Sequence, residues 1–448
     1  MDGSSQKRLR VAVVGSGISG LSSAWLLSRQ QAVTLYEKAP DAGGHSLTVD
    51  INVGERRVPV DMGFIVYNTN TYPNLTALFA HLGVKTEESE MSFGVSLDEG
   101  RLEYSGGSLS GLFAQVANLA RPRFWSMIAD LVRFYRFAPG DLAALEQSGL
   151  SLGDYLAAHN FGPALIDDHL LPMAGAIWSA PAAAMRNYPA AAFIRFFDNH
   201  GLLKLTGRPI WRTVTGGSRA YVQRLIAAMP GVLRQDCAVT RIERDASGVT
   251  IATADGSTDR FNHVVLATHA DQALKLLAAP TPLERELLGA FRYSQNLAYL
   301  HTDERLMPKR RAAWSSWSVR GSTATADAPL CVTYWMNRLQ GLDSPQHLFV
   351  TLNPSSEIRS DRVLRTEHFE HPLIDAGAIA AQRRLWSLQG VQNTWFCGAY
   401  FGAGFHEDGL QSGLGVAEAL GGARRPWSVA NESGRICLGP TVRASISP

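Results

Sequence analysis

Three glycines and one acid carry the first chemistry. Gly15, Ser16, Gly17, Ile18, Ser19 and Gly20 stand directly after the apolar run 11–14, and Glu37 ends the next such run, followed by Lys38. Gly15 permits a tight turn, Gly17 lets the backbone approach a pyrophosphate, and Gly20 lets helix and strand pack closely. A helix starting at this point offers free N–H groups and partial positive charge to phosphates. Glu37 can accept hydrogen bonds from a ribose. A second cluster, His406-Glu407-Asp408, is dense in titratable groups. His406 could serve as a general acid or base. The run HEDGL lacks the second histidine of HExxH, so no metal site is expected. Tyr67 is the other catalytic candidate, in an aromatic stretch with Phe64 and Tyr72.

These residues need particular elements behind them. Residues 11–14 suit a strand buried on both faces, 21–29 a helix, and 33–36 a second strand. The order strand, glycine turn, helix, strand, acid is that of a Rossmann-type dinucleotide unit. A glycine pair, Gly43-Gly44, follows with His45, and then Asp61, Gly63 and Phe64. Near the C-terminus, a strand over 394–397 leads to Gly398 and a helix over 409–420.

Together with the block CGAYFGAGFHEDGLQSGLGVAEAL (397–420), these stretches resemble the flavin-containing amine oxidase and phytoene desaturase superfamily, in motif order along the whole chain. GFIVYNTNTYPNLTALFAHLGV, RPIWRTVTGGSRAYV and GFHEDGLQSG look most similar to bacterial FAD-binding oxidoreductases associated with cyclopropane-fatty-acid synthases. The resemblance implies an α/β fold: a discontinuous Rossmann-type FAD-binding domain and a second substrate domain of mixed sheet and helices. It implies non-covalent FAD held by Gly15 to Gly20 and by Glu37, with Gly43 and Gly44 passing under the cofactor. Gly63 and Phe64 would lie near the flavin, Val239 at the adenine, and Asp408 near the ribityl or phosphate. Gly398, Gly409 and Leu410 would bring the last helix N-terminus to the flavin pyrimidine. The superfamily usually has Arg after the glycine pair, and His45 departs from that.

We expect the FAD-binding domain at 1–65, 215–290 and 390–425, the substrate domain at 66–214 and 291–389, and a loose tail at 426–448. Residues 66–214 read as mostly helical and 291–352 as strands. One dinucleotide fingerprint rather than two disfavours a pyridine-nucleotide disulfide reductase.

The expected reaction is hydride removal from, or desaturation of, an apolar substrate, with a lipid acyl chain implied by the resemblance. Alternatives are a flavin-dependent isomerase, an amine oxidase and a non-catalytic binder of the same fold. Of six lysines only Lys309 lies in the part of the chain where amine oxidases place one by the flavin, and it reads as an exposed turn.

The chain has 448 residues, 42 basic against 40 acidic, and a net charge of +2, which gives no argument for nucleic acid. Four scattered cysteines suit a reduced, cytoplasmic chain, with Cys397 inert. No apolar run is long enough to span a membrane. Residues 109–137 carry four arginines, one acid and many aromatics, split by Pro122 into two expected helices. They offer a peripheral contact with the inner membrane surface. A functional link to a fatty-acid-modifying methyltransferase follows from the resemblance.

Overall fold

The structure is a computed structural model that describes residues 8–178, 182–204, 207–322 and 331–439. Its first sheet has five parallel strands in the order Val232–Arg234, Ala32–Tyr36, Arg10–Val14, His263–Leu266, Thr394–Phe396. Val11, Ala12 and Val13 in the centre are buried on both faces, which is why that run is apolar without alternation. The helix Ile18–Ser28 follows the glycine turn, and every one of its residues is buried. The last helix, His406–Ala419, covers its remaining face. Small residues make this crossing close. A Cβ on Gly413 would meet the Ser19 carbonyl oxygen at 2.3 Å, and one on Gly409 would meet Ile18 at 2.9 Å.

A second sheet has seven strands: Val363–Leu373, Arg292–His301, Phe349–Leu352, Cys331–Trp335, Trp317–Gly321, Phe93–Leu97 and Leu102–Ser105. The last two are strands inside 66–214, a stretch that is otherwise mostly helical, as expected. Phe93–Leu97 joins in parallel to Trp317–Gly321, a long-range pairing that no local pattern announces. Its hairpin partner, Leu102–Ser105, is reached through Asp98, Glu99 and Gly100, all at positive φ.

A helical layer packs beside this sheet. Pro122 opens the long helix Pro122–Ser148, as its fixed φ allows at a first turn. The stretch before it is not the expected second helix. It is one turn, Leu109–Leu112, and a 3₁₀ segment, Val116–Ala120. Phe134, Phe193 and Phe197 form the core of the layer.

The expected loose tail is also corrected over 426–439. Trp427 stacks on Trp25 at 5.9 Å, Ile436 is buried, and Arg435 reaches Asp408. Arg-, Pro- and Ser-rich composition reads as loose, but arginines here find buried carboxylates. Residues 440–448 lie outside the described residues.

Candidate active site

The glycine turn, Glu37 and the second glycine pair are knitted into one cradle. Glu37 accepts from Ser16 N at 2.9 Å and Ser16 Oγ at 2.6 Å, and from Ala39 N at 2.8 Å. Ser16 Oγ in turn accepts from Gly43 N at 3.1 Å. Gly15, at φ +98°, sits against the Ala267 carbonyl, and a Cβ on Gly20 would meet the Gly15 oxygen at 1.8 Å. Gly17 is different, because a Cβ there would meet nothing within 4 Å. The helix that starts at Ile18 has no acidic residue in its first turn and no side-chain cap. Its N–H groups therefore face an open side that suits a pyrophosphate. Gly44 passes over Gly17 Cα. Cys237 N donates to the Glu37 carbonyl, which brings Val239, at the start of Val239–Asp245, to the same end of the groove. Lys38 is exposed beside it.

The other end of the groove is built around His406. Phe64 stacks on its ring at 3.9 Å between centroids. Phe64 is placed by Gly63, whose missing Cβ lets the chain pass the His45 carbonyl, and by a hydrogen bond from its own N to that carbonyl at 2.7 Å. His406 Nε2 lies 2.7 Å from the Tyr221 hydroxyl, and that hydroxyl also bonds Ser46 Oγ. Burial, with His45 adding, pushes the His406 imidazole down to about 3. Burial pushes the Tyr221 hydroxyl up. The pair is thus neutral near pH 7, a hydroxyl and an imidazole that can share or relay one proton. Tyr221 and Ser46 have no sequence signal of their own. Tyr67, the tyrosine expected here, is buried against Tyr72 and Phe79.

The three residues of the acidic cluster have separate tasks. The last helix begins at His406, three residues before the expected start, so both acids lie in its first turn, where its dipole favours them. Glu407 is fully buried and accepts from Asn74 N, Asn74 Nδ2 and Leu75 N, capping the helix Pro73–Leu82. Burial raises its pKa. Asp408, expected near the ribityl or phosphate, accepts within the chain from Phe405 N at 2.8 Å and from the Arg435 guanidinium. Asp61 is similarly engaged within the chain. It accepts from Thr48 Oγ1, Ser218 N and Ser218 Oγ, and burial lifts it to about 6. It holds the Gly216-Gly217-Ser218 turn that opens the helix carrying Tyr221. Gly398 lies two residues past the strand Thr394–Phe396, and its N donates to Ser412 Oγ. Leu410 is buried in the core behind it.

His45 packs on Phe369 at 5.1 Å, His371 at 5.7 Å and His269 at 6.4 Å. Burial, then His371 and His269, push it down to about 3, so it offers phosphate no positive charge at neutral pH. Cys397 is buried, which pushes its thiol up to about 12 and leaves it inert. All five described lysines, Lys38, Lys85, Lys204, Lys275 and Lys309, are exposed. Lys309 sits at the Gly100 turn, by the edge strand Leu102–Ser105, whereas Phe369 and His371, which touch His45, lie on the opposite edge strand. Among the described residues no group of histidines, cysteines and acids could hold a metal.

A parallel sheet with a glycine cradle at its strand ends, a covering last helix and a second mixed sheet defines a two-domain α/β flavoprotein oxidoreductase. The chain belongs to the flavin containing amine oxidoreductase family, whose profile matches residues 18–421. Its cofactor is FAD, and the open face at Gly17 and the uncapped helix fit that group. A provisionally named flavin-containing monoamine oxidase, AofH, of Mycobacterium tuberculosis is 27% identical over 340 residues, covering 72% of this chain and 70% of the relative. Two solved structures share the fold. Cyclohexylamine oxidase from Brevibacterium oxydans IH-35A has a TM-score of 0.63 at 15% identity, covering 92% of this chain and 99% of its own. A CLA-producing fatty acid isomerase from P. acnes has a TM-score of 0.62 at 17% identity, covering 92% and 97%.

Proposed function

We propose that this FAD-dependent oxidoreductase removes hydride from an apolar substrate, a lipid acyl chain, oxidising or desaturating it. The observation that carries the reading is the character of the wall beside His406. Phe405, its neighbour in sequence, stacks on Phe196 at 4.8 Å, and Phe196 stacks on His200 at 3.9 Å. His200 is buried, and its imidazole is pushed down to about 3, chiefly by burial. A wall of rings and neutral imidazoles favours hydrocarbon and gives a protonated amine no counter-charge. All the described lysines are exposed, which further disfavours the amine oxidase chemistry of several relatives.

Bound FAD supplies a hydride acceptor. The chain contributes position and dryness. Phe64 stacks on His406 and shields one face of its ring, and the Tyr221 hydroxyl lies within hydrogen-bond distance of His406 Nε2. Removing a hydride and a proton from adjacent carbons would leave a double bond, the hydride going to bound FAD and the proton passing through the His406–Tyr221 pair to water, so that the imidazole ends neutral. A fatty-acid-modifying methyltransferase fits as a functional partner acting on the same chains.

The fatty acid isomerase of the same fold supports a second reading, in which hydride leaves and returns. Turnover of unsaturated and saturated acyl substrates with an artificial electron acceptor tests both. Acceptor reduced in proportion to product supports oxidation. Product without acceptor consumption supports isomerisation and sinks the oxidative reading.

A further inference from the structure

We propose that the outer face formed by residues 109–137 docks the enzyme reversibly on an anionic phospholipid bilayer. This deepens the acyl-chain reading and rests on it for its purpose, though not for its geometry. Large apolar side chains are normally exposed singly. Of the twelve exposed large hydrophobics among the described residues, six fall in this one stretch: Leu109, Val116, Leu119, Trp125, Val132 and Phe137. Leu109 is 78% exposed and Val116 73%. Part of the group is demonstrably contiguous. Trp125 Nε1 donates to the Leu119 carbonyl at 2.9 Å, and Phe113 packs on the Trp125 ring at 5.9 Å. Along the long helix, Trp125, Val132 and Arg136 lie seven and eleven residues apart, which puts them on one stripe.

The charges around this patch favour an anionic surface. Arg123 is held by Asp168, and Arg133 by Asp130, the only acid in the stretch. Arg121 bonds the Arg101 carbonyl and Asn118 Oδ1, neither of them charged, and Arg136 lies over the Phe137 ring. Among the described residues, neither Arg121 nor Arg136 has a carboxylate within ion-pair distance. Two uncompensated guanidinium groups beside a Trp–Leu–Val surface have the composition of an interfacial helix face. The inner face of the same helix contributes Phe134 to the core against which Phe405 packs, next to His406. The layer therefore links the proposed bilayer face to the wall of the flavin site.

The test is flotation of the FAD-loaded enzyme with vesicles of phosphatidylethanolamine and phosphatidylglycerol, against phosphatidylcholine alone. The wild type should float with anionic vesicles at low salt and be released as salt rises. Arg136→Glu should lower partition at least about fivefold, the worth of one basic residue at such a surface. Leu109→Ser/Val132→Ser should lower it too, and since these side chains are exposed, FAD content should stay that of the wild type. No flotation, equal flotation on neutral vesicles, or variants that float like the wild type would overturn the proposal. So would a dimer in sedimentation that the Ser variant dissolves, because the face would then be a contact between two copies. Flavin reduction by a detergent-dispersed acyl substrate needs no docking. Its failure beside intact flotation would count against the substrate reading alone.

Discussion

The two ends of the groove are built on different principles. At the proposed phosphate end the contacts combine close-passing backbone with the Glu37 carboxylate, and the residues are local in sequence. Gly15, Gly17 and Gly20 work because they lack side chains, and Glu37 closes the turn through Ser16. At the His406 end the contacts are side chains brought from four distant stretches: Ser46, Phe64, Tyr221 and Phe405 with His406. The first end tolerates little change of shape, and the second depends on neutrality and dryness. On the proposed reading, the cofactor site is written locally, while the substrate site is written in tertiary structure.

Substitutions at the phosphate end should break the fold or the cofactor site selectively. Gly20→Ala drives a methyl into the Gly15 carbonyl and should be the most damaging, at or beyond the upper end of the about 1–3 kcal/mol typical of overpacking. Gly17→Ala meets open space and should change the stability of the FAD-free protein by less than about 0.5 kcal/mol, while weakening FAD binding. Thermal unfolding and FAD titration separate the two. Equal unfolding losses would refute the distinction.

Acid should attack the helical and sheet layers first. His169, His200 and His301 are buried, and burial lowers them to about 4, 3 and 4. Unfolded histidine titrates near 6.5, so between about pH 6.5 and 4 the unfolded chain binds protons that the folded chain refuses. The stability present above about pH 6.5 is lost as pH falls, by up to about 1.4 kcal/mol per pH unit for each histidine. Asp61, raised to about 6, and Glu407, also raised by burial, act in the opposite direction over part of this window, but His45, His371 and His406 are lowered along with these three. Urea midpoints should fall steadily from about pH 7 to about pH 5. A midpoint that holds or rises would contradict the assignment.

Smaller effects sharpen the comparison. Glu37→Ala should weaken FAD binding by about 1.5–3 kcal/mol, measured by flavin fluorescence. Tyr221→Phe should leave FAD bound yet slow flavin reduction at least about tenfold, or 1.4 kcal/mol, whereas Tyr67→Phe should leave the rate close to wild type. Equal slowing in the two variants would remove Tyr221 from the proton path. Lys309→Met should have the least effect, under about tenfold in flavin reduction, since that side chain is exposed.

The legible parts were those whose signal is short in sequence. The glycine turn, its flanking strands and Glu37 could be read because one βαβ unit is a local object. The strands Arg292–His301, Cys331–Trp335 and Phe349–Leu352 could be read from their β-branched and aromatic runs. Phe93–Leu97 was hidden because its parallel partner comes more than two hundred residues later in the chain. Tyr221 was hidden because a tyrosine in the first turn of an ordinary helix announces nothing until His406 packs against it. Arg435 was hidden by a composition that resembles a tail, and with it the fact that Asp408 already has a partner.

The central claim is that a neutral, ring-lined site takes hydride from an apolar chain. Anaerobic mixing of the FAD-loaded enzyme with a lipid extract, and separately with mono- and polyamines, tests it most directly. The account predicts that the flavin bleaches with a lipid fraction and stays yellow with amines. Rapid bleaching by amines, with none by any lipid fraction, would contradict it.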